Sequence, residues 1–529
     1  MIVQSDLVIS IMKKNILILF LLFFGIGCYA QDTTLRIMEG LSIESKILNQ
    51  EVKYSIILPE DYYTSKTKKY PVVYLLHGLG DDESSWLEYG RVNQFTDGAT
   101  KSGDIVPMIF VMPQGFRTYY VNDYAGKFMY EDMFTKELIP FIDKEYRTIP
   151  DKEHRATMGY SMGGFGALIL PLKNPDLFTI SVPLSISVRT DDQYETEQAD
   201  EWNEQWGRLF GGVGKTGEER ITEYYKQHSP FHIFAQKDLS KYKNLKLYID
   251  NGDDEQTLAK SNETLHILLR DKNFPHEFRV RNGGHEFSYW REALPNGLRF
   301  ISDSFERKPY RGDVLKNKFA KVSNSTFNKI VKQDKYNVLL PEEYLLTNRA
   351  YPAIYFLGEL DDQDQKYVAH YIESAIRSNE FPTSIVFFLK GDNTDLLRST
   401  MTELENTYRI RKGYRFSSLI GFHNGGENAL ALALEPEKFT SCAIIDSNID
   451  FEALHKAIER DKKVLSRTWL YITTTDKSPN YNSNGYAHML LRDKDIYHEY
   501  RVRETVNEKT YWHESLSEIM DFTQRKIHR

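Results

Sequence analysis

One serine lies in a sequence setting that is typical of a nucleophile. Ser161 is the centre of the sequence GYSMG (159–163), between an apolar run at 156–159 that is typical of a strand and a helical pattern at 164–172. Glycines on either side allow a turn so tight that the serine hydroxyl is raised out of the sheet, close to a helix N-terminus. A serine hydroxyl is a weak nucleophile on its own, so a catalytic role for Ser161 requires a base and an acid elsewhere in the chain.

The best candidate for the base is His285. A predicted strand at 278–281 leads into Asn282, and two glycines then turn the chain so that the imidazole is presented at the tip of a loop. This position after a late strand suits a histidine that removes the serine proton. Other histidines are weaker candidates: His154, His266 and His276.

Carboxylates between the serine and the histidine are concentrated after a predicted strand at 245–250. The loop contains Asp250, Asp253, Asp254 and Glu255. Like charges this close raise one another's pKa, so most of the four are expected to be solvated or to hold the loop. The order serine, acid, histidine is satisfied by each of the last three, and spacing alone does not separate them.

The chain contains two copies of one domain. The segment 54–62 is echoed at 336–344, and 266–281 matches 488–503 at 11 of 16 positions, in the same order along the chain. Repeated segments in matching order indicate an internal duplication. We therefore expect a first domain at 31–307, a linker at 308–319 and a second domain at 320–529.

Each copy is expected to have an α/β fold with a mostly parallel central sheet. Short runs rich in branched apolar residues, at 71–76, 106–112, 156–159 and 245–250, are typical of buried parallel strands. Helical patterns at 130–146 and 164–172 lie between them, and this alternation favours α/β architecture.

The composition excludes several functional classes. The chain has 529 residues and a net charge of −8, so no basic surplus is present to bind nucleic acid. A glycine-rich stretch at 211–216 lacks the first glycine of a phosphate-binding loop, because Leu209 stands there. No histidine or cysteine cluster has the spacing of a zinc site. We expect neither a metal nor an organic cofactor.

The N-terminus predicts export. Lys13 and Lys14 precede a short apolar run at 16–24, and small residues continue to Ala30, which describes a signal peptide at 1–30 with a true start at Met12. Cleavage after Ala30 would release a periplasmic or extracellular protein. Lipidation at Cys28 is the alternative, and it is the one route by which we expect contact with a membrane.

Four segments of the first copy together resemble a known family. They are LLHGLGD (75–81), GFRTYY (115–120), GYSMGG (159–164) and GGH (283–285). Over most of 45–305 the chain resembles the esterase D-type α/β-hydrolases, which include the feruloyl and acetylxylan esterases of carbohydrate esterase family 1. The resemblance implies two tandem α/β-hydrolase domains, the second degenerate, and a serine carboxylic-ester hydrolase that needs no cofactor.

The resemblance also implies roles for individual residues. The family's acid is an aspartate three residues after the glycine of the strand-end loop; Glu255 occupies that position here, with Asp254 as the alternative. The backbone amides of Met162 and Leu79 are expected to form the oxyanion hole. Four aromatic residues are candidates for contacting the substrate: Trp86, Tyr119, Tyr120 and Tyr160.

The second copy keeps the fold signals and loses the chemistry. The positions of the nucleophile, base and acid correspond to His423, Asn507 and a position near Ser478. We expect an inactive domain, the alternative being a new site built from His423 and Asp476.

The implied substrate is an ester, either an acylated oligosaccharide of plant origin or a small acyl ester. Acyl transfer, siderophore hydrolysis and a non-catalytic binding role remain as alternatives. The segment 189–243 of the first copy, which the second copy has largely lost, is rich in aromatic residues. Those rings would either line the substrate pocket or pack the segment onto the domain.

Overall fold

The computed structural model describes residues 35–314, 330–461, 465, 467–504 and 511–527, and these form two eight-stranded sheets. The strands of the first sheet are β1 (Ile37–Ser45), β2 (Gln50–Ile57), β3 (Val72–Leu76), β4 (Ile109–Pro113), β5 (Arg155–Tyr160), β6 (Ile180–Leu184), β7 (Lys246–Gly252) and β8 (Glu277–Arg281). Those of the second are β9 (Val331–Lys332), β10 (Tyr336–Leu339), β11 (Ala353–Leu357), β12 (Ile385–Leu389), β13 (Ser417–Phe422), β14 (Ser441–Ile445), β15 (Trp469–Thr475) and β16 (His498–Arg503).

The two sheets have the same strand order. It is β1-β2-β4-β3-β5-β6-β7-β8 in the first and β9-β10-β12-β11-β13-β14-β15-β16 in the second. In each sheet the first two strands are antiparallel to their neighbours and the remaining six pair in parallel. The predicted fold class, two α/β domains with mostly parallel sheets, is confirmed.

Helices connect the strands of both sheets. In the first domain they are α1 (Ser85–Glu88), α2 (Val92–Lys101), α3 (Tyr130–Met133), α4 (Ile139–Glu145), α5 (Met162–Lys173), α6 (Asp191–Glu195), α7 (Ala199–Glu201), α8 (Gly207–Phe210), α9 (Glu223–His228), α10 (Pro230–Ala235), α11 (Thr257–Asp271) and α12 (Phe287–Phe305). In the second they are α13 (Asp362–Arg377), α14 (Thr394–Thr407), α15 (Asn424–Ala433), α16 (Phe451–Arg460), α17 (Tyr481–Asp493) and α18 (Tyr511–Ile527).

The first sheet is covered on both faces. Strand β3 is buried throughout, and its successive side chains point to opposite faces. Val72 and Leu76 join the apolar cluster that also contains residues of α5 and α11. Val73 and Leu75 join a second cluster, to which α2 and α12 contribute. Helices on both faces explain why these strands read as continuous apolar runs.

The aromatic residues of segment 189–243 pack mainly against one another. Tyr194, Trp202, Trp206, Phe210 and Tyr225 are all buried. The ring of Tyr194 meets those of Trp206 and Tyr225 edge-on, with centroids 5.1 Å apart in both pairs. Burial of these rings stabilises the segment on the domain, which is the packing alternative of the two that the sequence left open.

A buried charge cluster joins the two domains. Arg349 of the second domain lies 3.4 Å from Glu88 and 3.8 Å from Glu39 of the first, and 3.2 Å from Glu343 of its own domain. Arg411 reaches the same two acids of the first domain, each at 2.8 Å. Glu88 is the last residue of α1, which follows β3. The ion pairs therefore attach this segment of the first domain to the second domain.

No helix within the described ranges is long and apolar enough to cross a membrane. The predicted signal peptide at 1–30, its start at Met12 and the lipidation candidate Cys28 lie outside the described residues.

Candidate active site

Ser161 lies on a strained turn between β5 and α5. Its backbone angles are φ 56° and ψ −119°, a conformation that side-chain-bearing residues rarely adopt. The flanking glycines are required by space, since a Cβ on Gly159 would lie 2.3 Å from the carbonyl oxygen of Gly163, and one on Gly163 would lie 2.1 Å from that of Leu76. The turn therefore fixes the hydroxyl at the carboxyl edge of the sheet.

Three side chains form a continuous hydrogen-bonded series at this edge. His285 Nε2 lies 2.8 Å from Ser161 Oγ, and His285 Nδ1 lies 3.0 Å from Glu255 Oε2. The imidazole side chain is 37% exposed, whereas the glutamate side chain is fully buried. The three residues come from the loops that follow β5, β7 and β8, so the parallel sheet brings them together.

The structure separates the three carboxylates that the sequence left equivalent. Glu255 contacts His285, as described above. Asp253 accepts a hydrogen bond from the amide of Gly283 at 3.0 Å, and so ties the acid loop to the histidine loop. Asp254 is exposed, and its own amide donates to the carbonyl of Gly283 at 3.0 Å.

Two residues that the sequence analysis missed hold the glutamate. The Ser185 hydroxyl, one residue beyond β6, donates to Glu255 Oε1 and accepts a hydrogen bond from Trp290 Nε1 at 2.8 Å. The amide of Gly252 also donates to Glu255 Oε1, at 2.9 Å. The indole ring of Trp290 meets the His285 ring edge-on, with centroids 5.1 Å apart. The acid therefore has a fixed orientation, with one oxygen occupied and the other left for the histidine.

The two backbone amides expected in the oxyanion hole lie in loops that pack together. Met162 is the first residue of α5, so its amide has no acceptor within the helix. For the amide of Leu79, the described part of the chain provides no hydrogen-bond acceptor. Gly78 is so close to the turn that a Cβ on it would lie 2.6 Å from the Tyr160 ring. That the amides of Met162 and Leu79 form an oxyanion hole stays a prediction.

A buried histidine supports this loop. His77 Nδ1 donates to the carbonyl of Gly78 at 2.8 Å, and its Nε2 accepts from the amide of Gly115 at 2.7 Å. His77 Nε2 also lies 2.8 Å from Gln114 Oε1. Burial lowers the pKa of His77 and so favours the neutral imidazole, in which Nδ1 carries the proton.

The four aromatic residues predicted to contact substrate have structural partners within the first domain, and their contact with substrate stays a prediction. Trp86, Tyr119, Tyr120 and Tyr160 are all buried. Trp86 Nε1 donates to the carbonyl of Leu76 at 3.0 Å.

The hydroxyls of these tyrosines are likewise used within the protein. Tyr120 donates to the carbonyl of His77 at 3.0 Å, and Tyr160 donates to Asp81 at 2.6 Å. Tyr119 lies 3.1 Å from the hydroxyl of Ser187, and burial raises the pKa of Tyr119 to about 12. These side chains therefore support the catalytic loops from inside the domain. Their rings are buried, and their polar groups are hydrogen-bonded.

Across the described residues, no group of three or more histidine, cysteine, aspartate or glutamate side chains is placed to hold a metal ion.

The second domain repeats the turn with different residues. His423 has φ 46° and ψ −120° at the junction of β13 and α15, the position that Ser161 has in the first domain. Ser478 occupies the position of Glu255 and donates a hydrogen bond to Asp446, which occupies the position of Ser185. Hydroxyl and carboxylate have thus exchanged places. Asn507, predicted at the position of His285, lies outside the described residues.

Comparisons with known proteins agree on the first domain. The family model described as "Putative esterase" matches residues 45–301. An endo-1,4-beta-xylanase/feruloyl esterase of Xylanibacter ruminicola is 37% identical over 275 residues, which cover 50% of this chain and 31% of that protein. An acetyl esterase of Caldicellulosiruptor saccharolyticus is 22% identical over 281 residues, 50% of this chain and 97% of that protein.

A solved ferulic acid esterase shares 28% identity, covers 51% of this chain and 99% of that one, and has a TM-score of 0.43. The chain spans about a third of the length of the Xylanibacter ruminicola xylanase/feruloyl esterase.

Proposed function

We propose that the first domain, whose residues 45–301 match the family model described as "Putative esterase", is a serine carboxylic-ester hydrolase. The observation that carries the proposal is the hydrogen-bonded series from Ser161 Oγ through His285 to Glu255. A serine on a strained turn, a half-exposed imidazole within hydrogen-bond reach and a buried acid behind it are the parts that acyl transfer requires.

Each group has a defined part in the reaction. His285 takes the hydroxyl proton as Ser161 Oγ attacks the ester carbonyl, and it then gives that proton to the leaving alcohol. The acyl group stays on Ser161 until water, deprotonated by His285, attacks and releases the carboxylic acid. Glu255 holds the Nδ1–H tautomer and stabilises the imidazolium. The amides of Leu79 and Met162 stabilise the oxyanion, each contributing roughly 3 kcal/mol.

The proposed substrate class is supported by the descriptions of the relatives. The relatives are described as a xylanase/feruloyl esterase and an acetyl esterase. We infer that this chain removes feruloyl or acetyl groups from plant polysaccharide and acts after export. The second domain takes no part in the chemistry, because a histidine replaces the nucleophile.

The first test is hydrolysis of p-nitrophenyl acetate and methyl ferulate by the purified chain beside Ser161→Ala. We expect Ser161→Ala to lower kcat by about 10⁴-fold or more on both esters. Retention of activity in a folded Ser161→Ala protein would refute the proposed nucleophile. The ratio of the two wild-type rates defines the acyl preference. Product analysis with added alcohols separates hydrolysis from acyl transfer.

A further inference from the structure

A cavity of about 650 Å³ opens in the second domain, at the place where the first domain has its catalytic serine. It lies at the carboxyl ends of parallel strands β13, β14 and β15, where α/β sheets bind their ligands. The residues that matter here are His423, Asp446, Ser478, Asn480, Trp512 and His513.

The second domain has kept the strained turn without a nucleophile. A Cβ on Gly425 would lie 2.2 Å from the carbonyl oxygen of Leu357, the same close approach that Gly163 makes in the first domain. His423 itself is exposed and lines the cavity. Strained backbone persists where the surrounding structure enforces it, and it clusters at functional sites. The turn therefore still presents a polar side chain to the cavity.

Four carboxylates line the cavity, and three of them have partners within the protein. Asp446 accepts hydrogen bonds from the hydroxyls of Ser478 and Thr474, the latter at 2.9 Å. Asp364 lies 3.1 Å from His513 Nε2. Asp361 accepts from two amides of the first turn of α13, at 2.7 and 2.9 Å. The fourth, Glu359, is exposed. The cavity is therefore polar, and most of its carboxylates are held by hydrogen bonds within the protein.

This lining selects for one kind of ligand. Partnered carboxylates keep lone pairs that accept hydrogen bonds from hydroxyls, and the exposed ring of His423 adds a further polar contact. Trp512 lies in the wall but is buried, so little of its apolar surface is open to a ligand. A metal ion would need several free ligands, which the described residues do not group together. A neutral molecule rich in hydroxyls fits this mixture of hydrogen-bond acceptors and donors, whereas a metal cation would require a group of ligating side chains.

We propose that this cavity is a non-catalytic binding site for a neutral oligosaccharide. The second domain then acts as a carbohydrate-binding module that keeps polysaccharide bound to the enzyme. The identity of the sugar as part of the substrate rests on the proposed function, whereas binding itself does not.

The test is calorimetric titration of the full-length Ser161→Ala protein with xylohexaose, beside a second protein that also carries His423→Ala. We expect saturable binding that His423→Ala weakens at least tenfold. A matched control, Tyr486→Ala, removes an exposed ring that does not line the cavity and should leave the affinity unchanged. Thermal unfolding shows that each variant is folded, and Asp446→Asn provides a second probe of the same wall.

Two outcomes overturn the proposal. One is unchanged affinity in both His423→Ala and Asp446→Asn, or no binding of xylohexaose at all. The other is tighter binding of spermidine than of xylohexaose, which would assign the cavity to cations. Hydrolysis of p-nitrophenyl acetate by the His423→Ala protein with Ser161 intact should equal the wild-type rate. Absence of that hydrolysis in the wild type would refute the proposed esterase while leaving the sugar site standing.

Discussion

Replacing Glu255 with glutamine changes one carboxylate oxygen to an NH₂ group and leaves the shape of the side chain nearly unchanged. The surroundings decide which way the amide turns. The Oε1 position receives two donors, the Ser185 hydroxyl and the amide of Gly252, so the glutamine oxygen must stay there. The NH₂ group then faces His285 Nδ1 at about 3 Å, where the carboxylate oxygen lies now.

This orientation of the glutamine amide would prevent His285 from acting as the base. An NH₂ group facing Nδ1 makes that nitrogen an acceptor, so the proton moves to Nε2, the atom that must take the proton of Ser161. The wrong tautomer with intact geometry lowers kcat by about 10⁴-fold in an analogous triad, which corresponds to about 5.5 kcal/mol of transition-state stabilisation. We expect a loss of that size in Glu255→Gln.

The assay is steady-state hydrolysis of p-nitrophenyl acetate at pH 7.5. Asp254→Asn is the matched control, because it removes a neighbouring but exposed carboxylate; its kcat should stay within about threefold of the wild-type value. Circular dichroism and thermal unfolding establish that both variants fold. A Glu255→Gln protein that keeps more than about a tenth of the wild-type kcat, or an inactive Asp254→Asn protein, would refute the assignment of the acid.

Three further outcomes are expected. Gly163→Ala should abolish ester hydrolysis, since its Cβ would lie 2.1 Å from a backbone oxygen, whereas Gly98→Ala, with open space around it in α2, should raise the unfolding free energy by about 0.5–1 kcal/mol. Arg349→Met should destabilise the chain to urea by about 3–5 kcal/mol, because it leaves Glu39 and Glu88 to share Arg411 and leaves Glu343 without the Arg349 guanidinium. The exposed Lys68→Met should cost under about 1 kcal/mol. Burial lowers the pKa of His228 to about 4 against about 6.5 unfolded, so stability present above pH 6.5 should fall by up to about 3 kcal/mol as the pH drops to 4, and His228→Gln should remove that dependence. Ester hydrolysis by Gly163→Ala, equal stability of Arg349→Met and Lys68→Met, or a pH profile that His228→Gln leaves unchanged would contradict the respective arguments.

The sequence predicted the parts of the fold that repeat a local pattern. The apolar run at 71–76 became β3, and the run at 245–250 became β7, because strands covered on both faces are apolar throughout. The antiparallel strands β1 and β2 were not predicted, since neither is such a continuous run. The internal repeat indicated two domains, and the structure has two sheets of identical strand order.

Within the candidate site, the sequence by itself determined the residues that a tight turn requires: a serine between glycines, and a histidine after a pair of glycines. Only the tertiary structure decided which carboxylate faces His285, because Asp253, Asp254 and Glu255 are neighbours on one loop and differ in direction alone. It also decided that Tyr160 packs inward and that Ser185 holds the acid. Motif spacing records where the backbone must bend, whereas the direction of a side chain depends on partners that are distant in the sequence.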